Sequence, residues 1–406
     1  MSVSTIFTST SEPRFSYGIL GRMRPRTVIY IGNFFFSLFI ALITYILLPY
    51  VSSFMPAAYS GLVISGGALI AAILFPLMPR LVERYGAQRL LLIFAVIEMF
   101  ALLALAASPG SLTGILLVAV AIALQPFIAY ELDILLEATV AEENTTGRVR
   151  AIFLTAWNIA ALAAPLLVGA LLARSDAYGH VFFAAAVALV PFIALLAARR
   201  LPKGVPPKLS NIKDTLLCIM RDRDLAAVTF GHLLLYLFFV WAPFYIPVYL
   251  HTELGIPWSD LGWVFSIMLL PYVLIQYPAG ILADRVFGDK EMMLTGFIIT
   301  GVSFAAIGLF TASTPLIIIV CVLFVSRIGA ALVEVMTEGH FFRRMSEKDV
   351  NAISVFRGIW PLTEFTAPII GSAILIFGNF ELFFVITGGF IAVFGAVSAL
   401  LIKDFR

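Results

Sequence analysis

The 406-residue chain is 61% hydrophobic and only 12% charged, with a mean hydropathy of +1.03. A water-soluble domain carries about 25% charged residues, so this chain lacks the polar surface to fold in water and must use lipid as its solvent. Its 26 Lys and Arg nearly cancel 24 Asp and Glu, leaving +2, which gives no basis for a nucleic-acid partner.

Residues 1–26 read as a tail with Arg14, Arg22, Arg24 and Arg26. The apolar stretch from Thr27 to Tyr50 that follows is too long for a cleaved signal segment and reads as a first transmembrane helix. Apolar spans of about 20 residues fall near 27–50, 59–79, 88–107, 112–135, 151–173 and 179–198. A polar segment, 199–224, interrupts them. Six more follow near 225–250, 261–283, 291–311, 315–337, 353–377 and 381–402, with a short tail at 403–406. Short turns such as Ser108-Pro109-Gly110 join them. The expected fold is an all-α membrane protein of twelve helices, in two six-helix bundles spanning 27–198 and 225–402. In the polar segment, Leu209, Ile212, Leu216, Ile219 and Met220 recur at helical spacing opposite Lys213, Asp214 and Arg221. That pattern predicts a short helix lying on the membrane face.

Orientation follows from where the cations fall. Twenty-three of the 26 Lys and Arg lie on the side of the two termini, including Arg148, Arg150, Lys208, Lys348 and Arg406; Arg174 alone lies on the other. Arg327 and Arg357 fall inside spans. Both termini are therefore expected in the cytoplasm, with the chain in the inner membrane.

The halves repeat. Gly61 precedes Glu83-Arg84 as Gly262 precedes Asp284-Arg285, by 22 residues to the acid. Glu131, Trp157 and Pro165 recur at one offset as Glu334, Trp360 and Pro368. Two pseudo-symmetric bundles predict a site between them.

The turn after span eight reads Gly280-Ile-Leu-Ala-Asp284-Arg285-Val-Phe-Gly288-Asp-Lys290. It is similar to the Gly-x-x-x-Asp-Arg-x-Gly-Arg-Lys/Arg signature of the major facilitator superfamily, with one extra residue before the second glycine. The first-half copy keeps Arg84, Gly86 and Arg89 but has Pro79 for the leading glycine and Glu83 for the aspartate. The resemblance covers nearly the whole chain. It implies a monomeric carrier in which these turns latch the cytoplasmic side, the acid capping a helix N-terminus. The antiporter run Gly-Pro-x-x-Gly-Gly survives only as Pro165 and Gly169.

Ionisable residues in spans are costly and so are candidates for function. Glu98, Arg327 and Glu364 fall near the membrane middle. Glu131, Asp133, Glu137, Glu334 and Arg357 fall toward the cytoplasmic end. Arg327 and Glu334, seven apart, share a helix face with Glu338 beyond. The resemblance places Arg327 toward substrate. Glu364 leads as proton carrier, because lipid burial favours its protonated form and a neighbouring cation its charged one. Glu131, Asp133 and Glu98 follow. Asn33, Gln125, Tyr130, Asn158, His232, Tyr236 and Gln276 complete the expected cavity, with Pro126, Pro243, Pro247, Pro271 and Pro361 allowing bends.

The function expected is proton-driven secondary transport of a small organic solute by alternating access, leaning to efflux. Facilitated or proton-symport uptake of a sugar or metabolite is the alternative within transport, and a transporter-like sensor the one outside it. An enzyme is not expected: HExxH, GxSxG and P-loop motifs are missing, Cys218 and Cys321 suggest no metal site, and no cofactor beyond the proton gradient is implied.

Overall fold

The computed structural model describes residues 23–107, 111–139, 146–204, 212–345 and 350–403. Arg14, Arg22, Lys208, Leu209, Lys348, Arg406 and the turn at 108–110 lie outside the described residues, as do the side chains of Arg148, Arg150, Asp284 and Arg285. Among the described residues, twelve helices are long and apolar enough to cross a membrane. They are α1 Pro25–Ser52, α2 Ala57–Tyr85, α3 Ala87–Ala106, α4 Ser111–Glu137, α5 Ile152–Leu171 and α6 Gly179–Ala197 in the first half. The second half holds α7 Arg223–Glu253, α8 Trp258–Leu282, α9 Asp289–Leu309, α10 Leu316–Arg344, α11 Asn351–Phe377 and α12 Phe380–Leu401. With no water in the bilayer core, each helix satisfies its own backbone, which is why this composition yields helices.

In the first bundle α1 packs on α5 and α6, α3 on α4 and α6, and α2 on α4. In the second, α9 packs on α10 and α12, α7 on α10, α11 and α12, and α8 on α10. Between the bundles run α2 on α11, α5 on α8 and α1 on α7. The predicted linker helix is present as Ile212–Arg221. Its Ile219 is buried, while Ile212, Leu216 and Met220 stay exposed.

Three helices are interrupted one turn upstream of a proline, whose missing N–H deprives the carbonyl four residues earlier of its α-helical donor. Helix α11 breaks between Arg357 and Ile359, before Pro361. Arg357 and Glu364 therefore sit on separate helical pieces, and their spacing of seven does not by itself align them. The segment before α8 ends breaks at Ile275, before Pro278, and α2 tightens to a 3₁₀ turn at Phe75–Leu77, before Pro79.

The repeated turns match in backbone. Gly86 and Gly288 have φ of 84° and 83°, a left-handed region that glycine enters without strain, and each begins the next helix. The extra residue in the second copy is absorbed as a π-helical turn at Ala283–Phe287. There the Gly288 N–H reaches five residues back to the Ala283 carbonyl, where Gly86 reaches four back to Val82. One inserted residue thus becomes one wider helical turn.

Candidate functional site

The bundles close on each other in the half of the membrane away from the termini, and the closure follows the sequence repeat. Ser65 of α2 donates to the Phe365 carbonyl of α11, and Ser266 of α8 donates to the Leu162 carbonyl of α5, each over 2.8 Å. One turn further out, a Cβ on Gly61 would lie 2.8 Å from the Pro368 oxygen, and one on Gly262 would lie 2.8 Å from that of Pro165. Gly262 also meets Gly169 backbone to backbone. Such contacts need residues without side chains, as small residues let helices approach in lipid. The ring of Tyr45 stacks on Phe265 at 5.2 Å, Tyr178 meets Trp258, and His251 Nε2 lies 3.1 Å from Asp176 Oδ1. Gly61, Gly262, Pro165 and Pro368 were legible in the repeat. The two serines were not singled out, although Gly-x-x-x-Ser recurs at Gly61 and Gly262.

Toward the terminal face the described bundle contacts end, and α10 turns a charged edge outward. Along its unbroken helix Arg327 is 3% exposed, Glu334 half-buried and Glu338 exposed. The exposed end lines an open cleft of about 450 Å³ with Val335, Gly339, Phe342 and Arg343. Glu334 accepts from Gln276 Nε2 of α8 at 2.7 Å. The Arg327 guanidinium lies 4.8 Å above the Phe238 ring of α7 and donates to Ser326 Oγ at 2.9 Å. On α11, Glu364 is half-buried one residue before the Phe365 carbonyl held by Ser65, with the Trp360 indole near it. Arg357 is exposed near Glu338. Tyr236 of α7 leans between His232 and Trp360, at 4.5 and 6.3 Å. His232 itself is 2% exposed, stacked on Phe356 at 3.7 Å with Nδ1 3.4 Å from Thr337 Oγ1. It is packed within its own bundle.

The first bundle presents less charge. Asn33 is buried and donates to the Phe153 carbonyl at 2.8 Å, tying α1 to α5. Gln125 has a buried amide nitrogen without a partner among the described residues, Tyr130 packs edge-on to Phe75, and Asn158 is half-buried. Glu98 and Glu131 are fully buried, and neither oxygen of either has a partner among the described residues. Asp133 is half-buried on the same helix as Glu131. In the turns, Glu83, Arg84 and Arg89 are exposed, with Arg84 over the neighbouring Tyr85 ring. Gly280 faces Val335 of α10, and Lys290 is half-buried.

A buried charge knot at the terminal face of the second bundle escaped the sequence reading. The His340 ring of α10 spans two carboxylates, Nδ1 3.0 Å from Asp289 Oδ2 and Nε2 3.1 Å from Asp224 Oδ1. Arg343 joins Asp289, while Arg344 reaches Asp224 Oδ2 at 2.8 Å and Asp222 Oδ2 at 3.0 Å. The Lys403 N–H adds 2.6 Å to Asp224. Asp222 caps α7, accepting from the N–H groups of Asp224 and Leu225. Partial burial opposes its ionisation, but those N–H groups and Arg344 outweigh it and hold the carboxyl below its ordinary range. The acids and cations stood in sequence as separate loop charges; no spacing links residue 224 to 289 and 340.

The family model described as Major Facilitator Superfamily matches residues 29–259 and again 228–404. Among solved structures the chain is similar to a mutant of the nucleoside transporter NupG, at 14% identity and a TM-score of 0.72, covering 94% of this chain and 100% of that chain. It is also similar to a mutant of the peptide transporter POT in complex with sulfate, at 16% identity and a TM-score of 0.71, covering 92% and 93%. No curated protein matches the chain. At these identities the two structures share its fold.

Proposed function

Because the chain belongs to the Major Facilitator Superfamily, we propose that it is a secondary transporter that moves a small organic solute by alternating access, in exchange for protons. The positive-inside distribution assigns the terminal face to the cytoplasm, so this form loads from within. The placement of Glu364 carries the coupling. It lies next to Phe365, the α11 carbonyl tied across the seam by Ser65. When α2 and α11 part, the surroundings of this carboxyl change with the seam, and a group whose solvation alternates can take a proton on one side and release it on the other. Tyr236 and Trp360 beside it offer rings to an apolar solute, which supports efflux over sugar uptake.

The test uses protein in liposomes with an internal pH dye, given organic cations, organic anions and sugars one class at a time. The wild type is expected to show solute-dependent proton flux, and Glu364→Gln to lose it while retaining solute exchange. Proton flux that persists in Glu364→Gln would remove that residue from the coupling role.

A further inference from the structure

Among the described residues, Arg327 is a buried cation with no counter-charge. Its described partners are a hydroxyl, Ser326 Oγ at 2.9 Å, and the face of Phe238 at 4.8 Å. No carboxylate lies within ion-pair distance of it among the described residues. The titratable groups that bear on it are phenols, Tyr272 of α8 and Tyr45 of α1. A guanidinium keeps its proton and carries five N–H donors, and an unpaired charge at such depth is expensive. The nearest acid along its own helix face, Glu334, is seven residues and so about 10 Å away, and it is engaged by Gln276. Arg357, the other cation within the spans, is exposed and has Glu338 nearby.

Arg327 is held against Phe238 of α7, and the phenols that act on it electrostatically come from α8 and from α1 of the other bundle. Tyr45 comes from the first bundle and stacks on Phe265 across the seam, while Tyr272 packs edge-on against Phe239 at 5.9 Å. The edge of α10 that carries Arg327 continues through Glu334 to Glu338, which lines the open cleft, so the proposed path for a solute runs from that cleft along this edge toward Arg327. We propose that Arg327, with the hydroxyls of Tyr45 and Tyr272, is the recognition subsite for an organic monoanion, a carboxylate on an aromatic or other apolar body. An oxyanion supplies the missing counter-charge and the acceptors, and Arg327 engages it by charge-assisted hydrogen bonds. One guanidinium balances one negative charge, and a second charge would be buried without a partner, which selects a monoanion over a dianion. The inference deepens the transport reading by naming the substrate class, and it rests on that reading for its consequence. Its test is equilibrium binding without a gradient, so it fails separately.

Purified protein is warmed, at constant ionic strength, with benzoate, phenylacetate and hexanoate, with the matching neutral amides, and with phenyl phosphate. The unfolding midpoint is expected to rise with at least one acid and not with its amide. Arg327→Gln should weaken that acid by about tenfold or more and leave the amide unchanged, whereas Arg327→Lys keeps the preference for acid. Tyr272→Phe, which retains the ring, should weaken the acid less than Arg327→Gln does. Acids and amides that act alike, no effect from any acid, phenyl phosphate matching the carboxylates, or a preference that survives Arg327→Gln would each overturn the proposal.

Discussion

At the seam the two halves are nearly interchangeable: Ser65 and Ser266 reach across it by hydrogen bonds of the same length to backbone carbonyls three residues before Pro368 and Pro165. Inside the bundles the equivalence is lost. Glu131 and Glu334 occupy repeated positions, yet Glu131 is fully buried without a partner among the described residues and Glu334 is half-buried on Gln276. The same contrast holds at the terminal face. There Gln88 clamps the first bundle through the Leu196 and Arg199 carbonyls and the Leu201 N–H, all neutral, while the second bundle is clamped by His340 between two acids. Contacts made through backbone tolerate drift in side chains, which is why the seam can stay alike where the side chains of the two halves diverge. Among the described residues the clamp of the first bundle is neutral and that of the second is charged, and it is on the second half that the recognition proposed above depends.

The largest difference should appear at the clamps. His340→Leu removes the ring that bridges two almost wholly buried acids, leaving each with its arginine to offset burial, and is expected to cost about 3–5 kcal/mol, read as a fall in the thermal unfolding midpoint. Gln88→Leu strands only neutral groups and should cost about 1–3 kcal/mol. Equal losses would erase the contrast between the bundles. Acid sharpens it further. Asp222 has a depressed folded value, so its contribution is present at neutral pH and is lost as pH falls through that value, below about pH 4. Asp222→Asn should therefore flatten the acid limb of the stability profile.

The seam is expected to behave symmetrically. Gly262→Leu and Gly61→Leu each drive a side chain into backbone oxygen, and should disfavour the closed seam by about 1–3 kcal/mol. Spin-label distances between α2 and α11, and between α5 and α8, would report the shift. Gly66→Leu is the control, since nothing lies within 4 Å of a Cβ there. A response from only one of the two glycines would break the equivalence of the halves.

The smallest effect separates the paired acids. Glu334→Gln replaces the carboxyl that accepts from Gln276 with an amide that must reorient to do so, and should cost about 1 kcal/mol. Glu131→Gln disturbs no described partner and is expected to leave the unfolding midpoint unchanged or raise it. A loss at Glu131 as large as that at Glu334 would mean that both acids sit in similar surroundings.

Much of the fold was legible before any coordinates. The twelve spans, the linker helix at Ile212–Arg221, and the glycine turns at Gly86 and Gly288 follow from hydropathy and local backbone rules, each acting within a few residues. Even the inserted residue before Gly288 had a local outcome, the π turn. The candidate site was legible only by face: the spacing put Arg327, Glu334 and Glu338 on one edge of α10, but it could not say that Gln276 engages Glu334 or that Arg327 has no carboxylate partner among the described residues. Asn33 and His232 looked like cavity residues and are packed inside their bundles, because an apolar helix presents no pattern that distinguishes its cavity face from its packing face.

The sequence by itself determined which segments enter the lipid, which side collects the cations, and that the chain is doubled, since transfer free energy and repeat offsets are properties of segments. Only the tertiary structure decided which buried charges meet. The rotation and tilt of each helix are set by its neighbours, and a partnership such as Asp224, Asp289 and His340 exists only once three helices have been oriented against one another.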